Sequence, residues 1–229
     1  ADHIAYQYVS VFQWDASMAD KFCWGGFYAN LRDVYKMEEI STKLGQNNYL
    51  AVALIYKSWM FQVLTDIFGD IPYSEAIKAE SDGINKPVYD TQEAIYTGIL
   101  SDLENANNLI GTTGEVIKGD ILYNNDIAKW KKFANSLRIR CLMRISGRKD
   151  PTAAMQTILG DPVKYPIFTS SSDQAAFSFL ADAPNQSPIY PNYGKITSFD
   201  ASKTVTDFMN ATGDKRIKLF AQPTPNSVL

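Results

Sequence analysis

Four stretches of the chain carry apolar residues at spacings of three and four, the period of a helix with a buried face. The densest runs from Leu50 to Phe68. There Ser58, Gln62 and Thr65, at i, i+4 and i+7, leave only a narrow polar stripe on a helix that is otherwise apolar nearly all round. Such a helix needs neighbours on several sides. Lys57 and Asp66 interrupt it well short of the roughly 20 apolar residues a bilayer span requires, so the pattern predicts a core helix. Gly69 can take left-handed backbone and predicts the stop. Pro72 cannot continue a helix and pushes Ile71 toward an extended conformation. Asp70 to Tyr73 should therefore leave the helix as a fixed strap, with Asp70 hydrogen-bonding the turn.

Phe27, Leu31, Val34 and Tyr35 mark a second helix running to about Leu44 and closed by Gly45. Asp90-Thr91-Gln92-Glu93 reads as a capping-box-like start for a third, which carries Ile95, Ile99, Leu103, Ala106 and Ile110 before Gly111. The fourth bears Ile127, Trp130, Ala134, Leu137, Cys141 and Ile145 and ends at Gly147. Two antiparallel pairs follow, 26–44 with 48–68 and 91–110 with 126–147. The predicted fold is mainly α, made of TPR-like helix pairs in an α-α superhelix with long irregular loops. Tetratricopeptide consensus residues are not visible, and the connections are too long for a regular array.

Beyond Gly160, five prolines (Pro162, Pro166, Pro184, Pro188 and Pro191) punctuate a segment rich in Ser, Asp, Asn and Tyr. It predicts ordered loops, short extended pieces and one more helix near Ala201 to Ala211. The chain reads as part of one domain over 1–229, with helix pairs at about 26–147 and a loop-rich segment at about 160–229.

Composition narrows the function. With 229 residues, 45% of them apolar, the chain can bury a large core, and a net charge of −3 provides no basic field for nucleic acid. Cys23 and Cys141, far apart in apolar contexts, read as buried thiols and not as a disulfide. His3 is the only histidine and lies at the N-terminus, which excludes a Ser-His-Asp triad, a Cys-His pair and a multi-histidine metal site. No phosphate-binding glycine loop is present. No catalytic residue, metal or cofactor is expected. Two of the 25 acidic residues meeting in space would be the one route to hydrolysis, which keeps a glycosidase as the lesser alternative. The basic run Lys129, Lys131, Lys132, Arg138, Arg140, Arg144, Arg148 and Lys149 reads as a solvated face whose cations pair with acids on neighbouring helices.

Aromatic residues outside the helical stripes are the candidate binding chemistry. Trp14 and Trp24 flank the segment before the first helix, and Tyr190 and Tyr193 lie in the proline-stiffened "SPIYPNYGK", with Asn185, Gln186 and Asn192 nearby. A sugar ring has an apolar face and a polar rim, so flat amphipathic aromatics edged by amides suit it. The nominated ligand-binding residues are Trp14, Trp24, Asn185, Tyr190, Asn192 and Tyr193. For any single ring, packing its own loop onto the helices is an equal reading.

Three ordered passages resemble one family. "YKSWMFQVLTDIFGDIPYSEA" (56–76) is similar to the aromatic helix that runs into Phe-Gly-Asp-Ile/Val-Pro in SusD/RagB proteins. "GDILYNNDIAKWKKFANSLRIRCLMRIS" (119–146) resembles that family's Asp-x-x-Tyr-x-x-Asp followed by Lys-Trp-x-x-Phe-Ala-Asn-Ser-Leu-x-x-Arg. "NQSPIY" with "SFDASKTVTDFMNATGDKRIKLF" (198–220) matches its Asn-x-Pro-Leu-Tyr loop and later helix, although the closing Asn-Asp-Pro-Arg-Leu reads here Gly213-Asp214-Lys215-Arg216-Ile217, without the proline.

The resemblance implies a non-catalytic lipoprotein on the outer-membrane surface. It would bind an oligosaccharide or polysaccharide and act with a SusC-like TonB-dependent transporter. Membrane contact would come only through an N-terminal lipid anchor absent from this chain, which is expected to be a truncated piece of the mature protein. The rival reading is a TPR-type scaffold for a protein or peptide. The FGDIPY strap is expected to be structural and not to touch ligand.

Overall fold

The computed structural model describes residues 23–180, 186 and 202–220. The described residues are helical, with only isolated bridges in place of strands. The helices are α1 (Gly25–Leu44), α2 (Asn47–Phe68), the single turn α3 (Ala79–Asp82), α4 (Gln92–Leu109), α5 (Ile127–Ile145), α6 (Thr152–Gly160), α7 (Lys203–Ala211) and α8 (Ile217–Phe220), with a 3₁₀ turn at Ser171–Asp173. The chain forms two compact units, residues 1–177 and 178–229. The first unit holds α1 to α6 and the second α7 and α8.

The mainly α arrangement of helix pairs joined by long loops is as expected. Cross-helix partners fix the directions. Trp24, just before α1, meets Phe68, Tyr28 meets Phe61, and Glu38 meets Lys57. Lys57 meets Asp102, Asp66 meets Tyr96, Arg138 meets Glu104 and Asn135 meets Asn107. Between α1 and α2, between α2 and α4, and between α4 and α5, the partner number falls as the other rises, so successive long helices are antiparallel. Arg140 meets Gln62 and Arg144 meets Asp66 at a constant offset, so α2 and α5 run parallel.

α2 packs on α1, α4 and α5, which explains why it is apolar nearly all round. It has the length and hydropathy of a membrane span, yet 67% of its most apolar window is buried inside the protein. Its polar stripe is buried too: Gln62 and Thr65 are bonded there, while the buried Ser58 hydroxyl has no hydrogen-bond partner among the described residues. Gln62 donates to Asp66 and accepts from Arg140, while the Thr65 hydroxyl donates to Gly69 O at 2.7 Å. Lys57, only 8% exposed, bonds Glu38 at 2.9 Å and Asp102 at 3.1 Å and lies over the Tyr35 ring.

Gly69 ends α2 as expected but not in the left-handed helical well. Its φ of 75° and ψ of −120° belong to a region that a residue with a Cβ hardly visits. The strap that follows is tied along its length. Ile71 exchanges two backbone bonds with Asp90, Tyr28 Oη donates to Pro72 O at 2.7 Å, and the Asp90 carboxylate accepts from Tyr73 N, Ser74 N and the Ser74 hydroxyl. Burial works to raise the Asp90 carboxyl, but the Ser74 and Tyr73 bonds outweigh it and hold it below the usual range. Asp70 does not bond its own turn. It accepts from Gln92 N at 2.9 Å, at the first turn of α4, where an anion offsets unpaired N–H groups.

The passage 119–146 is equally consumed by structure. Asp120 accepts from Leu122 N, Tyr123 N, Asn125 N and Trp130 Nε1, the last at 2.7 Å. Burial would raise its pKa, but these donors together hold it below the ordinary carboxylate value. Tyr123 Oη donates to Asp173 O, Asp126 caps α5 through Lys129 N, and Phe133 stacks on Phe168. Asn135 Nδ2 reaches Asn107, Lys131 O and Pro166 O, and Ser136 Oγ accepts from Phe168 N. The basic run pairs in part: Lys132 meets Asp173, Arg138 meets Glu104 and Arg144 meets Asp66, while Arg140 donates to the Gln62 amide oxygen.

Both thiols are free. Cys141 is buried, and burial pushes it up to about 12, whereas Cys23 is half-buried and not, as expected, fully so.

Candidate functional site

Of the six nominated residues only Trp24 is described. Trp14, Asn185, Tyr190, Asn192 and Tyr193 lie outside the described residues. Trp24 occupies a wide π-type turn with Cys23, immediately before α1. From there its indole enters an aromatic group. The Tyr28 ring lies 5.0 Å away, Phe68 stands edge-on at 5.1 Å, and Tyr89 stacks at 6.2 Å with 22° between the planes. The buried side of the indole therefore packs on the end of α2, and its other neighbour is a surface tyrosine.

Tyr89 was not nominated. It lies two positions after Pro87 in the loop between α3 and α4, and the residue is 63% exposed. Its backbone is held on both sides, because Val88 N donates to Glu75 Oε2 at 2.9 Å and Asp90 pairs with Ile71. The result is an aromatic face on a fixed backbone, open to solvent and backed by a second aromatic. The criterion applied to "SPIYPNYGK", an aromatic beside a proline outside any helical stripe, would have found it in "KPVYD". The carboxylates of Asp90 and Glu75 are spent on backbone donors, so this place offers a stacking surface and not a hydrogen-bonding rim.

Two carboxylates, Glu38 and Asp102, share the Lys57 ammonium. Burial raises Asp102, and Lys57 counters that shift. Both groups are turned into the α1–α2–α4 seam, with Tyr73 Oη also directed at Asp102 at 3.5 Å. No cluster of metal-ligating side chains occurs among the described residues.

The family model described as "Starch-binding associating with outer membrane", a SusD-like family, matches residues 2–228. The chain belongs to the SusD-like family. SusD-like folds also stand out among solved structures. An outer membrane protein of Bacteroides vulgatus, described as proposed to act in nutrient binding, is 32% identical with a TM-score of 0.76, covering 94% of this chain and 46% of that one. A chitin-binding protein is 32% identical at a TM-score of 0.76, covering 93% and 45%. A SusD homologue of Bacteroides fragilis is 30% identical at 0.73, covering 84% and 41%. The chain thus spans less than half the length of each. A comparison with curated protein sequences gives no match.

Proposed function

We propose that this chain is the helical part of a cell-surface glycan-binding protein that acts without catalysis, beside a SusC-like TonB-dependent transporter, in nutrient uptake at the outer membrane. In the full-length protein an N-terminal lipid would hold it there. The observation that carries this reading is the family match along residues 2–228. The chitin-binding and nutrient-binding descriptions of relatives at 32% identity support it. Within the chain, the exposed face of Tyr89, stacked on Trp24, has the chemistry a pyranose face needs. The nominated loop residues Tyr190 and Tyr193, with Asn185 and Asn192, would supply further stacking and the amide rim. The passages 56–76 and 119–146 serve as scaffold, since most of their polar side chains are engaged with backbone or with side chains of neighbouring elements.

A glycan array followed by isothermal titration of each hit tests the reading. Saturable binding of a polysaccharide or oligosaccharide, weakened about tenfold or more by Tyr89→Ala, supports it. Folded protein that binds no glycan but captures a peptide would favour the TPR-type scaffold instead. Reducing ends released on incubation, lost in Glu38→Gln or Asp102→Asn, would favour the glycosidase.

A further inference from the structure

A concavity of about 400 Å³ lies on the face of the α1–α2 hairpin lined by Asp33, Lys36, Met37, Ile40, Gln46 and Tyr49, a volume in the range of small-ligand pockets. We propose that it is a second saccharide subsite, taking one neutral sugar unit and sharing no lining residue with the Trp24 and Tyr89 stack. The proposal rests on the glycan-binding reading above.

Three observations carry it. The floor is apolar and includes an aromatic ring, from Met37, Ile40 and Tyr49. Tyr49 is fixed in advance, because its hydroxyl donates to Val116 O at 3.1 Å and accepts from Lys118 N at 2.8 Å. A ring already tied at its hydroxyl loses little freedom when a ligand stacks on it. At the rim, the Asp33 carboxylate and the Gln46 amide have no hydrogen-bond or ion-pair partner among the described residues. Together they offer acceptors and donors for sugar hydroxyls. The Lys36 ammonium is engaged by Glu39 at 2.8 Å, so the unspent charge at the rim is negative. That disfavours phosphorylated or uronic sugars and leaves neutral ones.

The helices dictate this geometry. Asp33, Lys36, Met37 and Ile40 fall at i, i+3, i+4 and i+7, one face of α1, while the tight turn at Gly45 brings Gln46 and Tyr49 back beside it. Ile40, on that face, is 44% exposed.

The test is amide-resolved NMR titration of the whole chain with chitotetraose and with maltotetraose, up to about 10 mM, since a single-unit subsite binds in the millimolar range. Shifts at Asp33, Ile40, Gln46 and Tyr49 are expected with at least one of the two. Asp33→Ala and Gln46→Ala should weaken that set about fivefold or more while leaving shifts at Trp24 and Tyr89 unchanged. Shifts confined to Trp24 and Tyr89 would overturn the second subsite and leave the glycan reading standing. No shift anywhere, with a folded spectrum, would overturn both.

Discussion

Gly98 in α4 is the space that the Tyr73 ring occupies: a Cβ built on Gly98 would stand 2.7 Å from Tyr73 Cε1 and 2.8 Å from Cζ, with Oη closer still. The ring cannot yield easily, since Phe61 stands edge-on at 4.7 Å on another side. Gly98→Ala should therefore cost about 1–3 kcal/mol, read by urea denaturation. Combined with Tyr73→Ala, the cost of Gly98→Ala should largely vanish, a coupling that independent sites would not show.

Gly69 offers the opposite case. A Cβ there would meet nothing within 4 Å, so any cost is backbone conformation alone. Gly69→Ala and Gly69→Asn should both lose about 1–3 kcal/mol, because ψ of −120° is foreign to asparagine as well. At Gly45, whose φ of 66° and ψ of 30° form a true left-handed cap, asparagine should be tolerated to within about 0.5 kcal/mol. Thermal melts of the three variants separate the two geometries.

Asp120 is expected to be the most sensitive position in its loop. Asp120→Ala leaves three backbone N–H groups and the Trp130 indole N–H without their acceptor and should destabilise by about 2–4 kcal/mol. Trp130→Phe removes one of the four donors and a well-packed indole, and its loss should be smaller if the backbone bonds dominate.

Acid should release the segment around Asp173. Lys132 bonded at 2.8 Å, with Thr169 N and Ser170 N, holds that carboxyl down to about 2. A depressed folded value means the unfolded chain binds the proton first as pH falls. The stabilisation is complete above about pH 4 and is lost between there and about pH 2. Asp173→Asn should flatten the acid limb of the stability curve in that window, and if the limb is unchanged the carboxylate is not its source.

Trp24 and Tyr89 should separate in stability. Tyr89→Ala removes a largely exposed ring and should shift stability by about 0.5 kcal/mol or less, while Trp24→Ala opens a gap beside Tyr28 and Phe68 and should cost about 2–4 kcal/mol. Equal losses would mean that Tyr89 is a packing anchor.

What the sequence discloses follows the range of the forces involved. The ends of α1, α2 and α4 are readable because Gly45, Gly69 and Thr91 act on their own turns; Thr91 Oγ1 accepts from Ala94 N. α7 lies within two residues of its expected bounds, since Val205, Phe208 and Met209 keep helical spacing. α6 was not expected: of its nine residues only Ile158 is buried, too little to set a period. α8, a single turn, has no period to read. The acceptor role of Asp70 toward α4, the reach of Trp130 to Asp120 and of Lys132 to Asp173, and the fit of Tyr73 against Gly98 join residues from separate elements, and no local spacing marks them. Trp24 is nominated from its place outside the helical stripes, while the tyrosine it stacks on is 65 positions away in the chain, a pairing no local pattern discloses.

The Lys57 triad has a consequence for how the helices choose their alignment. An oily seam between α1, α2 and α4 would accept a slip of one turn with little change in buried area. With Glu38, Lys57 and Asp102 in that seam, the same slip strands an unpaired charge in the interior, at a cost of several kcal/mol. The triad thus acts as an index mark: it adds little to the depth of the folded basin but removes the neighbouring basins, and so keeps Tyr89 and the strap beside it at one height along the stack.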